Sequence, residues 1–468
     1  MNRQMLLTVA LCASLASLAP AASLAACSVL LSDRFEGNSP TDTSAVLGNI
    51  REEFGIPAVG AVLVDSDGLI SRGVDGLRVS DGTATVDSGE LWHLGSNTKA
   101  MTATLYATYV QNGELGFDDT LPSFFPDIEA LPAWQSVTIR DLLQHRGGVD
   151  PNLNQLPGSD PETVMANRAE WAGTVLTAAP ASPIGDFSYS NVGYVLVGAA
   201  LEAHTGQAWE ALMNERLFEP LGMSRCGFGA PPHPENAQGH SQDGTPRPGQ
   251  DNTPMLGPAG TVHCSLESWG RFLSANLAGP KGESPLLDAS LWNELHQLES
   301  GYAMGWGAAG WYSRPGIGHD GSNTFWYARA LVIPDTDRAY GVTANIVNTA
   351  GIAAAAVRLV ETDAIPLTSG VAYSFAGCSA GNDEQKYCID LQTESTLDVA
   401  ISHAPFGGQL VLQHFDDDGT GLGQTVGGET GVSLNTGLSA GRYVLRVAAN
   451  PSSSACPPYE IMATRSTP

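Results

Sequence analysis

Three short segments of this chain carry side chains that together could do acyl-transfer chemistry. The first is Ser96-Asn97-Thr98-Lys99, preceded by Gly95. Of the 22 lysines and arginines only three are lysine: Lys99, Lys281 and Lys386. An ammonium gives up its proton when desolvated, whereas a guanidinium does not. If Ser96 opens a helix, Lys99 at i+3 shares its face and the amine reaches the serine oxygen. The helix N-terminus would stabilise negative charge developing at Ser96, and Gly95 lets backbone and substrate come close. For Lys99 to act as a base, burial or neighbouring cations must lower its pKa. Taken alone, S-x-x-K is more often a serine N-cap before an exposed lysine.

The second segment is Tyr189-Ser190-Asn191, within Gly185-Asp186-Phe187-Ser188-Tyr189-Ser190-Asn191-Val192-Gly193-Tyr194. A tyrosine beside a cationic lysine is pulled toward phenolate and can shuttle protons. The Asn191 amide can hold both a substrate carbonyl and the lysine. A turn tyrosine and an N-cap asparagine would write the same residues. The third segment is Gly318-His319-Asp320-Gly321-Ser322-Asn323, just before the strand pattern Phe325–Val332. An edge strand beside Ser96 would offer the Ser322 N–H to pair with that of Ser96 as an oxyanion hole. His319 would supply a partly cationic donor at neutral pH. In isolation this stretch reads as a Gly-rich turn entering a strand.

The elements that must position these groups follow from pattern. The chain has 468 residues, 43% of them hydrophobic, which predicts two domains. Helical spacing runs through Thr41–Phe54. A hairpin follows, with strands Val59–Asp65 and Leu69–Gly73 around Ser66-Asp67-Gly68. A long helix is predicted from Ala100 to about Gln111, stopped by Asn112-Gly113. A mostly helical region then extends to about Ala278, with Thr138–His145, Asn191–His204 and Ala208–Leu217 as helices. Within it, Phe228–Pro258 is an irregular loop long enough to border a cleft. Strands return at Tyr327–Ile333 and Ala339–Ile346, and a small-residue helix at about Gly351–Thr362. Strand-rich ends around a helical middle predict an α/β fold: one antiparallel sheet flanked by helices, plus a helical lobe, with the site between them. Residues 371–468 alternate with period two in short stretches between Gly-rich turns, as in a small β-sandwich. The expected domains are therefore 1–26, 27–366 and 371–468.

Residues 1–26 read as a signal peptide: Arg3, an apolar run from Met5 to about Pro20, then small residues through Ala26. The protein is expected to be exported to the periplasm or beyond. Leu24-Ala25-Ala26-Cys27 also resembles a lipobox, in which Cys27 would be lipidated. Six cysteines from Cys27 onward form an even set for an oxidising compartment. Their connectivity stays open, with Cys226–Cys264 and Cys378–Cys388 as the local guesses. The net charge of −27 argues against nucleic-acid partners. The terminal module leaves cell-envelope association open. Phe415-Asp416-Asp417-Asp418-Gly419-Thr420-Gly421 is faintly like a calcium loop but lacks the terminal bidentate acid, so it reads as a hairpin turn. His93 and His145 flank the segments above and read as packed, hydrogen-bonded side chains.

Taken in order, the three segments resemble the serine β-lactamase/penicillin-binding superfamily. The branch is that of class C β-lactamases, D-alanyl-D-alanine carboxypeptidases, D-aminopeptidases and β-lactamase-like esterases. The likeness runs from about Ala45 to Asp363. It includes Leu91–Lys99, Gly113–Asp119, Val137–His145, Pro258-Ala259-Gly260 and Tyr302–Trp306. The resemblance implies a β-lactamase-like fold and a covalent serine mechanism without metal or cofactor. Ser96 would be acylated, Lys99 and Tyr189 would share acid and base work, and Asn191 would position substrate. His319 and Gly321 would stand on the third-motif strand, with the Ser96 and Ser322 amides as oxyanion hole. The third motif is His-Asp-Gly where many β-lactamases carry Lys-Thr-Gly. That favours D-amino-acid peptides or esters over β-lactams, with a β-lactamase or a non-catalytic binding module as alternatives. No counterpart of the acidic deacylation base of class A β-lactamases can be placed.

Overall fold

The computed structural model describes residues 41–152, 163–311 and 314–362, and beyond them the strand segments between 365 and 466. It falls into two compact units, residues 40–310 with 315–357, and residues 358–468 together with 311–314.

The larger unit is built on a seven-stranded sheet ordered β1-β3-β2-β10-β9-β8-β7. Its strands are β1 (Thr41–Asp42), β2 (Ala58–Asp65), β3 (Gly68–Gly76), β7 (Gly307–Trp311), β8 (Arg314–Ser322), β9 (Tyr327–Ile333) and β10 (Arg338–Ala344). The predicted β2–β3 hairpin forms, its turn held by Asp65 Oδ1 accepting the N–H groups of Asp67 and Gly68 at 3.1 and 3.0 Å. The N- and C-terminal strand regions of the unit join in one sheet as expected, β2 lying antiparallel to β10 with Val62 opposite Gly341. Every residue of β2 is buried, so both faces are covered. Helix α1 (Ser44–Phe54) packs on β2 and β3. Helix α8 (Leu266–Ala278) packs on β2, β3 and β10. Gly341 makes that contact possible: a Cβ there would stand 2.7 Å from the Trp269 ring and 2.9 Å from Val62 Cγ1.

The helical lobe holds α2 (Thr98–Gln111), α3 (Ile139–Leu143), α4 (Val164–Thr177), α5 (Asn191–Thr205), α6 (Trp209–Met213) and α7 (Gly257–Gly260). Helix α9 (Ala289–His296) packs on α2, and α10 (Thr349–Thr362) ends the unit. Helix α2 lacks a solvent face: every residue from Thr98 to Tyr109 is buried. A helix buried all round is a central element. Local signals set the ends of its neighbours. Thr138 and Asp141 form a capping box for α3. Ser190 Oγ caps α5 by accepting the Gly193 N–H at 3.0 Å, and Gly206 ends α5 with left-handed backbone.

Two details go beyond what the patterns indicate. The middle region is not wholly helical: β4 (Leu91–His93), β5 (Cys226–Phe228) and β6 (Val262–Ser265) form a separate sheet in the order β4-β6-β5. Strands of three or four residues are too short for a period of two to show. Cys226 faces Cys264 across β5 and β6, and the two are joined by a disulfide. The other guess, Cys378–Cys388, cannot be judged, since Cys378 lies outside the described residues, as does Cys27. The His319 segment stands on a strand, as the family resemblance implies, and is not the turn that composition alone suggests. It is the end of β8, paired with β9 from Ile317 to Ser322, and its glycines hide a strand from composition.

In the C-terminal unit, Ile365–Pro366, Glu384–Leu391, Gly441–Ala449, Leu410–Asp416 and Gly421–Val426 make a five-stranded sheet. Ala372–Phe375, Tyr459–Ser466, Ser395–His403 and Gly431–Leu438 make a four-stranded one. Along Ser395–His403, Leu397, Val399 and Ile401 are buried while alternate residues are more exposed. The two-sheet expectation thus matches the described strands. Residues 417–420 of the calcium-like segment lie outside them.

Gly341→Ala is expected to destabilise the larger unit by about 1–3 kcal/mol, because the methyl has no room against Trp269. Urea denaturation checks this, and an unchanged midpoint would contradict the packing.

Candidate active site

The site starts from a glycine. Gly95 has φ +52°, and a Cβ there would stand 2.3 Å from the Ser322 amide nitrogen. Only glycine both turns this way and admits β8 so closely. The turn Gly95–Asn97 is 3₁₀ and runs straight into α2. Ser96 therefore stands at the entry of a buried helix with Lys99 one turn further in. The approach is reciprocal, since a Cβ on Gly321 would fall 2.0 Å from Leu94 O and 2.8 Å from Ser96 N. The Ser96 and Ser322 amides thus come from two backbones in van der Waals contact.

Lys99 is fully buried. Its Nζ lies 2.6 Å from Asn191 Oδ1, 2.7 Å from Ala259 O and 3.0 Å from Ser96 Oγ. Burial alone pushes its pKa well below the usual amine range. A neutral amine has two N–H donors and one lone pair. The two carbonyl oxygens take the donors, which leaves the lone pair for the Ser96 hydroxyl. The amine also lies 4.9 Å from the Tyr189 ring centre and 5.6 Å from that of Tyr194.

Tyr189 carries the opposite shift. Burial pushes its phenol up to about 12, against a hydrogen bond with Ser96 that works the other way. Burial works against the expected pull toward phenolate, and it also disfavours the lysine charge that would cause that pull. At neutral pH Tyr189 is a phenol, beside a lysine that burial pushes toward the uncharged amine. Asn191, the first residue of α5, gives Oδ1 to Lys99 while its Nδ2 donates to Asn152 Oδ1 at 2.7 Å. It holds the lysine as expected, and Asn152 fixes which way the amide points.

His319 departs most from expectation. It belongs to a chain of hydrogen bonds that fixes every proton. The Ser190 N–H donates to His145 Nδ1 at 3.0 Å, so neutral His145 carries its proton on Nε2, which meets Tyr302 Oη at 3.2 Å. The Tyr302 hydroxyl is then free to donate to His319 Nε2 at 3.0 Å, and His319 Nδ1–H donates to Asp320 O at 2.6 Å. Burial brings His319 down to about 4 and holds His145 well below the usual imidazole range. His319 is thus neutral at neutral pH with both nitrogens engaged. It is not the partly cationic donor that its position suggested. Beside it, Arg329 is bound by two hydrogen bonds, 2.6 and 2.8 Å, to Asp320.

Sequence reasoning missed Tyr302 as a bridging group, Asn152, and the Ala259 carbonyl as lysine acceptor. Nothing in a sequence marks a carbonyl. Among the described residues no group of histidine, cysteine and acidic side chains could hold a metal.

Residues 44–362 match the Beta-lactamase family. The chain belongs to this family. Penicillin-binding protein 4 of Amycolatopsis lactamdurans is 30% identical over 342 residues, 65% of this chain and 84% of that protein. Esterase EstB of Burkholderia gladioli is 28% identical over 215 residues, 42% of this chain and 53% of that protein. The crystal structure of D-alanine carboxypeptidase AmpC from Burkholderia cenocepacia matches with a TM-score of 0.57 at 19% identity, covering 68% of this chain and 97% of that one. The last likeness bears on the fold alone. This family member has the β-lactamase-like α/β fold, and its family is one of serine hydrolases.

If the Lys99 lone pair activates Ser96, a fluorophosphonate will label Ser96 at a rate that rises with pH only through the depressed lysine pKa. The rate should level off well below pH 10.5, and the protonated Tyr189 should impose no fall across the mildly alkaline range. A rate still climbing through an ordinary lysine pKa would contradict the burial argument.

Proposed function

We propose that the chain is an exported serine hydrolase that cleaves acyl substrates through an ester on Ser96. The observation that carries this reading is the buried Lys99 amine 3.0 Å from Ser96 Oγ, with both of its N–H donors engaged elsewhere. In acylation the Ser96 proton moves to Lys99 as Oγ bonds to the substrate carbonyl carbon. The Ser96 and Ser322 amides receive the oxyanion. As the tetrahedral intermediate collapses, Tyr189 gives its proton to the leaving oxygen or nitrogen and takes one from Lys99. The net transfer is from Ser96 to the leaving group. Deacylation runs the same path backward with water as nucleophile and Ser96 as leaving group.

The substrate class follows from charge. Among the described residues on the β8 side, His319 is neutral and Arg329 is tied to Asp320, so neither offers a free cation to a substrate carboxylate. Carboxypeptidase substrates and β-lactams both carry that carboxylate. Esters and D-amino-acid amides do not, and the likeness to an esterase supports this ranking.

A turnover panel with short p-nitrophenyl esters, a D-amino-acid anilide, a D-Ala-D-Ala peptide and nitrocefin tests the reading. The ester or the anilide is expected to have a kcat/KM at least about tenfold above the other two, and Ser96→Ala to abolish all turnover. A faster D-Ala-D-Ala peptide or nitrocefin would overturn the substrate class. Labelled Ser96 without any turnover would favour a binding module.

A further inference from the structure

The oxyanion amides stand on two backbones that no strand ladder joins. Ser96 follows β4, which pairs with β6, whereas Ser322 ends β8, which pairs with β9. Oxyanion donors must sit about 2.7–3.1 Å from the charge they stabilise. Side chains must therefore hold the two backbones in register.

One carboxylate lies behind both. Asp251 comes from the irregular segment between β5 and α7, and its side chain is only 7% exposed. Its Oδ1 accepts from Asn252 N at 2.6 Å and Asn323 Nδ2 at 2.7 Å, and lies 2.8 Å from His93 Nε2. His93 is fully buried, and its Nδ1 accepts the Gly95 N–H at 3.1 Å. Neutral His93 then carries its proton on Nε2, which meets Asp251 by close approach at 2.8 Å rather than by an aligned hydrogen bond. Asn323 Oδ1 accepts the N–H groups of Phe325 and Trp326 at 3.2 and 3.1 Å. Gly95 immediately precedes Ser96, and Asn323 immediately follows Ser322. Asn252 extends the same network: its Nδ2 donates to Gly260 O at 2.8 Å, next to the Ala259 carbonyl that holds Lys99.

We propose that Asp251, acting through His93 and Asn323, is the positioning residue that sets the separation of the Ser96 and Ser322 amides. The proposal rests on Ser96 being the acylated nucleophile. The clamp reaches both flanks of the oxyanion hole from one oxygen atom, so it acts on a distance that matters when the oxyanion forms and little when substrate first binds.

Five variants of the full chain test it: Asn323→Asp, Asp251→Asn, the two combined, His93→Phe and His93→Gln. Turnover of a p-nitrophenyl ester is measured per Ser96 titrated with fluorophosphonate. Asn323→Asp keeps an acceptor for the Phe325 and Trp326 amides but sets a second carboxylate against Asp251. Its kcat per titrated site is expected to fall on the order of 10²-fold with KM changed by less than about threefold, the pattern of a lost transition-state interaction. Adding Asp251→Asn exchanges donor and acceptor and should recover at least about tenfold. His93→Phe should lose turnover per site as Asn323→Asp does. His93→Gln, which can still accept and donate, should keep most of it. A protein that merely misfolds loses titratable sites rather than turnover per site. Asn323→Asp and His93→Phe within about threefold of the parent in kcat per site, or a double variant no better than Asn323→Asp, would overturn the clamp. An unlabelled parent would instead overturn the reading of Ser96.

Discussion

Everything at this site depends on keeping one amine uncharged in the protein interior. Lys99 sits inside a helix that is itself buried on every side, with two carbonyl oxygens as acceptors. Desolvating an ammonium there would cost several kcal/mol, which favours loss of the proton. The same burial raises Tyr189 and lowers His319. Burial thus pushes lysine, tyrosine and histidine alike toward their uncharged forms around one serine. A carboxylate beside Lys99 would hold the lysine as a cation and remove the base.

The fold serves that condition by converging distant segments on α2. The turn Gly95–Asn97 supplies Ser96, and the start of α5 supplies Asn191. The carbonyl of Ala259 comes from α7, and β8 brings His319 and the Ser322 amide. Close contact between β8 and the Gly95 turn is possible only because Gly95 and Gly321 lack side chains. The small sheet β4-β6-β5 and the Asp251 hydrogen bonds stand behind that contact. Each of these elements touches the entry of α2, so a shift in any one would be felt at Ser96.

Much of this was legible in the sequence, for identifiable reasons. The S-x-x-K spacing needs only helical geometry, and the β2–β3 hairpin announces itself through Ser66-Asp67-Gly68. The pairing of β2 with β10 followed from two strand-rich ends. What escaped notice depends on partners rather than on residue type. His319 looked cationic because an isolated imidazole titrates near neutrality. The partners that silence it, Tyr302 and the Asp320 carbonyl, are set by tertiary contact. The phenolate character expected of Tyr189 needs a cationic Lys99, and burial disfavours both charges. The β4, β5 and β6 strands were too short to show a period, and β8 was masked by Gly316, Gly318 and Gly321.

The central claim is that Lys99 is a neutral amine in the folded protein. With only three lysines in the chain, lysine labelled with ¹³C at Cε and ¹⁵N at Nζ gives a spectrum simple enough to read directly, with Lys99→Arg assigning the resonance. At neutral pH the Lys99 signal should stand at the neutral-amine position and titrate well below that of Lys281, which is partly exposed and paired with Asp337. A Lys99 signal that stays at the ammonium position until an ordinary lysine pKa would contradict the account at its root.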